Sequence, residues 1–317
     1  MTYEHPLAYV LGLEGIALMR TFAGEYDREF VDARIAEIRR LLDDESLADT
    51  AVDVASVDTV EGYGIWSSTY DGPNTAFDFD GPLVGEVADS LPAGVVLDAA
   101  CGTGRIAASL AARGHRVIGV DSSPDMPARA RRRVPRGDFH LGDLHELPVD
   151  DSAVDLVVCS LAMTHLPELR PVMAEFARVL RPSGHLLIAD IHPEQVARGV
   201  IPRLRRPDGQ PGRLISYRHS PGEYLRAALQ AGLHVRRCEE PERPAVARPR
   251  DQATASAPDA EQPGSRDTPR ATEAGPWELW PWSLAGLAPE AAQAAGTGVP
   301  AMILWHFQLL GDPAERA

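Results

Sequence analysis

Three aspartates follow short apolar runs of the sequence, and a glycine-rich turn follows the first of them. Asp98 stands just before this turn, Asp121 ends the next apolar run, and Asp143 follows a third run directly after Gly142. A carboxylate at Asp98 could bind an ammonium group. Asp121 lies at about the 20-residue distance from the turn at which an acid binds ribose hydroxyls, and Asp143 could accept from an adenine amino group. The spacing therefore predicts a site for a nucleoside-bearing ligand.

The turn, residues 100–104, contains Gly102 and Gly104. Glycine permits positive φ angles and a close approach of the backbone to a ligand, and the helix that follows presents free N–H groups at its N-terminus. Residues 102–107 also match the dinucleotide fingerprint G-x-G-x-x-A, a pattern that is weak on its own. A nicotinamide dinucleotide is therefore an alternative ligand.

Two histidines follow later apolar runs and are candidate general bases, His165 after residues 154–160 and His192 after residues 186–191. A histidine titrates near neutrality, which suits the removal of a proton from an acceptor. The alternative is that each histidine caps or braces its loop. Tyr217 and His219 are weaker candidates. The sequence has no C-x-x-C or H-x-x-x-H spacing, so we expect no metal site.

The elements that would position these groups alternate between strand and helix from Val95 onward. Runs that are apolar throughout are typical of parallel strands with both faces covered, and right-handed crossovers make such a sheet doubly wound. We therefore predict an α/β fold with a doubly wound, mostly parallel sheet and helices on both faces. The predicted strands are residues 95–99, 117–120, 138–141, 154–159, 186–189, 233–238 and 301–310.

The flanking segments have other patterns. Residues 1–55 show helical apolar spacing and predict an N-terminal helical extension, too small for a core of its own. We expect it to dock on the main domain, residues 56–240, or on a second copy in a homodimer. Residues 241–275 are rich in Pro, Ala, Arg and Asp and predict a disordered or linker insertion. Residues 276–317 should return to the main domain as its last strand and hairpin.

Residues 61–82 combine glycines with the aromatic side chains of Tyr63, Trp66, Tyr70 and Phe77. Aromatic groups on a glycine-rich segment are typical of a lid over a site. The alternative is a surface loop whose aromatic residues pack on the core.

The composition limits the partners of this chain of 317 residues, which carries a net charge of -15 and has 44% hydrophobic residues. An acidic surface repels phosphate backbones, so we expect no nucleic-acid substrate. No apolar run approaches the roughly 20 residues that span a bilayer, and no signal-like pattern opens the chain, so we expect no membrane partner and a cytoplasmic location. The three cysteines are far apart and predict no disulfide framework. Lysine is absent, which excludes a lysine base.

Together these segments resemble the class I S-adenosylmethionine-dependent methyltransferases of small molecules. Residues 98–104 resemble the first motif of that family, with Ala100 where many members have glycine. Asp121 resembles the ribose-binding acid, and residues 142–144 resemble the adenine motif. Residues 154–160 resemble the fourth strand, residues 180–185 the turn before the fifth, and residues 63–71 the lid. The insertion at 241–275 departs from the compact pattern of the family, and no motif is evident in the N-terminal segment.

The resemblance implies a Rossmann-like domain with a seven-stranded sheet that binds S-adenosyl-L-methionine. It implies methyl transfer to an O, N or C acceptor on a small molecule, in bacterial secondary metabolism, with His165 or His192 beside the acceptor. Two alternatives stay open: another reaction on the same cofactor, such as cyclisation or decarboxylation, and a nicotinamide-dependent oxidoreductase. The cofactor contacts that the resemblance implies are Tyr63, Tyr70, Asp98, Ala100, Cys101, Gly102, Gly104, Asp121, Ser122, Met126, Gly142, Asp143, Leu144, Ser160 and Leu161.

Overall fold

The computed structural model of the chain describes residues 1–67, 70–72, 76–242 and 284–311. The expected insertion at 241–275 lies outside the described residues from residue 243 on. The strands are β1 (Thr2–Glu4), β2 (Val52–Val57), β3 (Val95–Ala99), β4 (Arg116–Asp121), β5 (Asp138–Leu141), β6 (Val154–Ser160), β7 (Leu180–Ile191), β8 (Arg203–Arg205), β9 (Pro211–Leu214), β10 (Leu233–Glu239) and β11 (Met302–Leu309). The helices are α1 (Pro6–Thr21), α2 (Arg28–Leu42), α3 (Thr59–Trp66), α4 (Phe77–Ser90), α5 (Arg105–Ala112), α6 (Asp125–Arg133), α7 (Arg170–Val179), α8 (Pro193–Ala197), α9 (Pro221–Gln230) and α10 (Pro289–Gly296).

The chain divides into two compact units. The smaller one comprises Met1–Val54 and Glu242–Gly298, and the larger one comprises Ala55–Pro241 and Val299–Ala317. Among the described helices, none combines the length and the apolar character that crossing a bilayer requires.

A seven-stranded sheet in the order β10-β11-β7-β6-β3-β4-β5 forms the centre of the larger unit. Its neighbours from β7 to β5 are parallel, whereas β11 pairs antiparallel with both β7 and β10. The doubly wound, mostly parallel sheet that the sequence predicts is therefore confirmed. The strand β7 begins earlier than expected, because it includes the turn residues 181–184, and the pairing register with β6 shifts at this point.

Both faces of this sheet are covered, which explains why its inner strands are apolar throughout. On one face, side chains of α4, α5 and α6 pack on strand residues such as Val96 and Val117. On the other face, α7 and α9 contribute Phe176 and Tyr224, which pack on residues such as Leu97. The carboxyl ends of the parallel strands then meet at one edge of the sheet.

The described residues of the segment 61–82 lie mostly in helices, at the end of α3 and the start of α4. The Asp58 side chain accepts a hydrogen bond from the backbone nitrogen of Glu61 at 2.9 Å and caps α3, and this favours a helix despite its two glycines. Gly62 has a packing role in α3, since a Cβ there would come within 2.1 Å of Leu214 Cδ2.

The smaller unit has its own hydrophobic core, to which the N-terminal helices supply only part of the side chains. Side chains of α1 and α2 pack with residues 284–295, so the described residues 284–298 group with the N-terminal helices and not with the sheet. The reason is a row of small side chains on α10, which lets helices approach closely. That row consists of Ala291, Ala294 and Ala295.

Candidate functional site

A cavity opens at the carboxyl edge of the large sheet and holds about 720 Å³ of space, including the part that opens to solvent. The residues that line it are Thr59, Tyr63, Tyr70, Ala100, Gly102, Asp121, Ser122, Met126, Gly142, Asp143, Leu144, Ser160, Leu161, Ala162, His165 and Leu166. Most of the residues predicted for the cofactor thus lie around one cavity, together with one of the two predicted bases.

The glycine turn between β3 and α5 has the left-handed backbone that the sequence predicts. Gly102 has a φ of 51° and Gly104 a φ of 82°. Ala100 also has a positive φ, 60°, a conformation that a residue with a Cβ adopts at a cost in strain energy. The turn places the backbone of Gly102 at the wall of the cavity.

Asp121 at the end of β4 is tied to two turns. Its Oδ2 atom accepts from the backbone nitrogen of Gly102 at 2.8 Å, and its Oδ1 atom accepts from that of Ser123 at 2.9 Å. Burial raises the pKa of this carboxyl above its usual value, although both hydrogen bonds oppose the shift. An ionised carboxylate has about four lone-pair positions, so Asp121 retains acceptor capacity for the hydroxyls of a ribose.

Asp143 follows β5 and also lines the cavity. Its Oδ1 atom accepts from the backbone nitrogen of His145 at 2.7 Å and lies 2.6 Å from His145 Nδ1. Partial burial raises the pKa of this carboxyl, but the two contacts with His145 outweigh burial and hold the pKa below its usual value. The Oδ2 atom stays available to an amino group, and the neighbouring Leu144 gives an apolar surface for a ring.

Three predicted cofactor residues do not line this cavity: Asp98, Cys101 and Gly104. Asp98 is buried and its Oδ2 atom accepts from the backbone nitrogen of Ala107 at 2.8 Å, so it braces the turn from inside; burial raises its pKa to about 7. The Cys101 thiol packs toward β4, and burial raises its pKa as well. Gly104 adjoins α6, where a Cβ would stand 2.9 Å from the Cα atom of Ala130.

A network of charged groups that the sequence did not reveal anchors the segment that carries Tyr70. The Asp80 carboxylate is fully buried and accepts from Arg105 Nη1 at 2.9 Å and from the Ser160 hydroxyl. Nearby, Asp71 accepts from the Thr103 hydroxyl at 2.6 Å. The guanidinium of Arg133 also pairs with Asp71, with Nη2 to Oδ2 at 2.6 Å.

These anchors fix the aromatic residues beside the glycine turn. The Arg105 guanidinium carbon lies 4.0 Å from the centre of the Phe77 ring, and the Phe77 and Tyr70 ring centres are 5.7 Å apart. The Tyr70 ring in turn lies 3.8 Å from the point where a Cβ on Gly102 would stand. The partners are 25 to 80 residues apart in the chain, so no local pattern could have predicted them.

His165 lines the same cavity and is paired with Tyr63. The Tyr63 hydroxyl oxygen is 2.9 Å from His165 Nε2, and His165 Nδ1 is 2.8 Å from the carbonyl oxygen of Ile215. Burial lowers the pKa of His165 below its usual value, although the bond to Ile215 opposes the shift. A neutral imidazole near an acceptor can take up a proton.

His192, the second candidate base, does not line the cavity, and this corrects the expectation. Its Nδ1 atom accepts from the backbone nitrogen of Glu194 at 3.1 Å and caps α8, while its Nε2 atom lies 2.8 Å from Glu240 Oε1. Both ring nitrogens are therefore used in the fold, as the bracing alternative predicts. Of the weaker candidates, His219 has its Nε2 atom 2.7 Å from the carbonyl oxygen of Leu166. Neither His219 nor Tyr217 lines the cavity.

Thr59 and Leu166 line the cavity although we did not single them out in the sequence. Thr59 is the first residue of α3, and it was missed because the helix start at Asp58 was not recognised. Leu166 directly follows His165, and this position next to a candidate base is the only feature of the sequence that points to it.

Comparison with known proteins finds methyltransferases among the relatives of this chain. A family model described as "Methyltransferase domain" matches residues 97–188. A demethylmenaquinone methyltransferase of Clavibacter sepedonicus is 32% identical over 176 residues, which cover 52% of this chain and 72% of that protein. An arsenite methyltransferase of Halobacterium salinarum is 32% identical over 188 residues, which cover 53% of this chain and 48% of that protein.

Most of these relatives are matched over only part of their length. The match covers 32% of a Streptomyces fradiae transposon protein and 36% of a Yersinia pestis malonyl-[acyl-carrier protein] O-methyltransferase. Among solved structures, an S-adenosylmethionine-dependent methyltransferase of Mesorhizobium loti has a TM-score of 0.45 at 19% identity, covering 72% of this chain and 96% of that one.

Proposed function

The chain belongs to the class I S-adenosylmethionine-dependent methyltransferase family, and on that premise we propose that it transfers a methyl group from this cofactor to a small, uncharged acceptor. The observation that carries the proposal is that the acids Asp121 and Asp143 and the pair Tyr63 and His165 line one cavity. The two acids suit an adenosyl group, and the pair suits a group that loses a proton.

Several residues of the lining fit S-adenosylmethionine by their chemistry. Asp121 would accept from the ribose hydroxyls and Asp143 from the adenine amino group. Apolar side chains that line the same cavity, Met126, Leu144 and Leu161, would contact the ring and the sugar. The backbone of the glycine turn leaves room for the methionine part, since Gly102 has no side chain.

The lining of the cavity fits an uncharged acceptor. Among the described residues that line it, no arginine is present, and its two acids would be taken up by the cofactor. An acceptor that carries a carboxylate or a phosphate would lose its hydration there without gaining a cation. Beside the two acids, the polar side chains of the lining include the hydroxyls of Thr59 and Tyr63 and the imidazole of His165.

When bound, the cofactor supplies a methyl group on a positively charged sulfur, which leaves as a neutral thioether. The protein then mainly orients the acceptor, an effect that can supply roughly 7–11 kcal/mol. His165 would hold the proton that the acceptor loses at its Nε2 atom, which adds about 10²–10⁴-fold in rate. The anchored Tyr70 segment would exclude water from the cofactor.

Methyl transfer from labelled S-adenosylmethionine to a panel of neutral small molecules tests the proposal. We expect incorporation that His165→Ala reduces by at least 100-fold while binding of S-adenosylhomocysteine is kept. Conversion of an acceptor without incorporation of label would contradict it. A role in bacterial secondary metabolism stays a prediction that the identity of the acceptor would test.

A homodimer through the N-terminal helices also stays a prediction. Near the end of α1, Met19 and Phe22 are 70% and 90% exposed, which would suit a subunit contact. Light scattering of the full chain would show a dimer that Phe22→Asp converts to a monomer. A monomeric wild-type chain would remove this proposal without affecting the methyl transfer.

A further inference from the structure

The protons in the Tyr63 and His165 pair can be assigned from the hydrogen-bond partners. A carbonyl oxygen only accepts, so His165 Nδ1, at 2.8 Å from the Ile215 oxygen, must carry a hydrogen. In the neutral imidazole the Nε2 atom is then bare and accepts, and the Tyr63 hydroxyl at 2.9 Å must be the donor. Ile215 thereby fixes the ring tautomer and the direction of the whole chain of bonds.

This direction leaves the Tyr63 oxygen with acceptor capacity toward the cavity. A phenol hydroxyl that donates its hydrogen keeps its lone pairs, and Tyr63 lines the cavity together with His165. A group on the acceptor molecule that donates a hydrogen bond can therefore bind to the Tyr63 oxygen. Its proton has a continuous path through Tyr63 to His165.

The surroundings of this pair are aromatic. The Tyr63 ring meets the rings of Tyr70 and Trp66 edge to face, with 5.8 Å between ring centres in each case. Such pairs present ring faces and edges on which another aromatic ring packs favourably. Leu166 and Ala162 add apolar surface to the lining of the same cavity.

From this geometry we propose that Tyr63 and His165 form a proton relay and that the acceptor is an aromatic hydroxyl, which the relay deprotonates as its oxygen is methylated. The proposal rests on the proposed methyl transfer and names its substrate class. Tyr63, expected from the sequence to contact the cofactor, is on this account also a catalytic residue.

The proton balance of the relay is complete. The acceptor O–H bond breaks and its proton passes to the Tyr63 oxygen, while the Tyr63 proton passes to His165 Nε2. The acceptor oxygen keeps the electron pair of its O–H bond and uses a lone pair to bond the methyl carbon, and the S–C bonding pair stays on sulfur. The positive charge of the sulfonium is thus replaced by one on the imidazolium, which donates to Ile215 and later loses its proton to water.

The strength of His165 as a base limits how weakly acidic the acceptor can be. His165 is a weak base, because burial lowers its pKa below the usual value near 6.5. A phenol, with a pKa of about 10, is far closer to this value than a hydroxyl of water-like acidity, at about 15.7. An aromatic hydroxyl is therefore the oxygen acceptor that this relay can serve.

Other titratable groups surround the pair. Burial, together with the nearby Tyr70, Asp190 and Asp121, raises the pKa of Tyr63 well above the usual value, so Tyr63 stays protonated before the reaction. The segment that supplies Ile215 also carries Tyr217 and His219, and the backbone nitrogen of Tyr217 donates to the Thr164 oxygen beside His165.

Nitrogen NMR of the full chain loaded with S-adenosylhomocysteine tests the relay without turnover. We expect His165 at pH 7.5 to be neutral and protonated at Nδ1. Tyr63→Phe removes the donor to Nε2 and should raise the pKa of His165 by roughly 0.4–1 unit, whereas the matched variant Tyr70→Phe should leave it unchanged. An Nε2-protonated ring, or equal shifts in both variants, would overturn the relay.

A matched panel tests the acceptor class: 1-naphthol, 1-naphthylamine and 1-naphthoic acid, and the corresponding phenol, aniline and benzoic acid. We expect methylation of a hydroxyl member and a reduction of at least 100-fold in kcat with Tyr63→Phe. Methylation of amines or acids at similar rates, or of no hydroxyl member, would overturn the aromatic hydroxyl as acceptor. Absence of S-adenosylhomocysteine binding would instead overturn the proposed function.

Discussion

The Oδ2 atom of Asp121 lies 2.8 Å from the backbone nitrogen of Gly102, so the acid at the end of β4 directly holds the glycine turn after β3. The same carboxylate lines the cavity. The acid that would bind the ribose therefore also sets the shape of the glycine turn beside it. Loss of the Asp121 carboxylate would disturb this turn, and a change in the turn would disturb Asp121.

Asp121→Ala should weaken binding of S-adenosylhomocysteine by more than tenfold. The variant removes the acceptor for two hydroxyls and leaves the backbone nitrogen of Gly102 without its partner. Isothermal titration calorimetry measures the change, and Asp89→Asn, which alters an exposed acid paired with Arg113, should bind like the wild type. Equal affinities for Asp121→Ala and Asp89→Asn would remove Asp121 from the ribose role.

Arg105→Met should lower the free energy of unfolding by about 3–5 kcal/mol, because it leaves the fully buried Asp80 carboxylate without its cation. Urea denaturation measures this. The double variant Arg105→Met with Asp80→Leu should recover part of the loss, since the unpaired charge is gone. Loss of the exposed pair in Asp89→Asn should change stability by less than about 1 kcal/mol. A similarly small effect of Arg105→Met would show that the Asp80 anchor is not structural.

Because of Asp190, we expect the free energy of unfolding to fall as the pH rises. Burial raises the pKa of this carboxyl to about 7 in the folded chain, whereas the unfolded value is about 3.9. Between these values the unfolded state releases the proton and the folded state keeps it, so stability present below about pH 4 is lost as the pH rises through about 7.

Comparison with Asp190→Asn isolates this contribution. Between pH 5 and pH 8 the wild type should lose roughly 2–3 kcal/mol of unfolding free energy relative to the variant, measured by urea denaturation at each pH. The comparison with Asp190→Asn is needed because Asp98 titrates in both proteins, with a pKa that is similarly raised to about 7. A pH-independent difference would show that Asp190 is ionised in the folded chain at pH 5.

His192→Ala should reduce stability but leave catalysis nearly intact. The variant loses the cap on the backbone nitrogen of Glu194, which costs about 1 kcal/mol, and His192→Asn should recover much of this. With an acceptor that the protein methylates, the rate should stay within about threefold of the wild type, in contrast to His165→Ala. A loss of rate as large as that of His165→Ala would return His192 to the catalytic residues.

Features of this fold that depend on neighbouring residues could be predicted from the sequence, and features that depend on distant partners could not. The glycine turn, Asp121 and Asp143 could be predicted because each lies directly after a strand whose apolar pattern is evident. The cap of α8 by His192 could not, since the same histidine at a strand end is compatible with an open loop. The anchors at Asp71 and Asp80 also could not, because their partners are distant in the chain.

Calorimetric titration of the full, folded chain with S-adenosylhomocysteine, and in parallel with NAD, tests the central claim most directly. The account predicts saturable binding of S-adenosylhomocysteine at one site per chain, weakened by Asp121→Ala, and no measurable binding of NAD. Binding of NAD in place of S-adenosylhomocysteine, or of neither ligand, would contradict it.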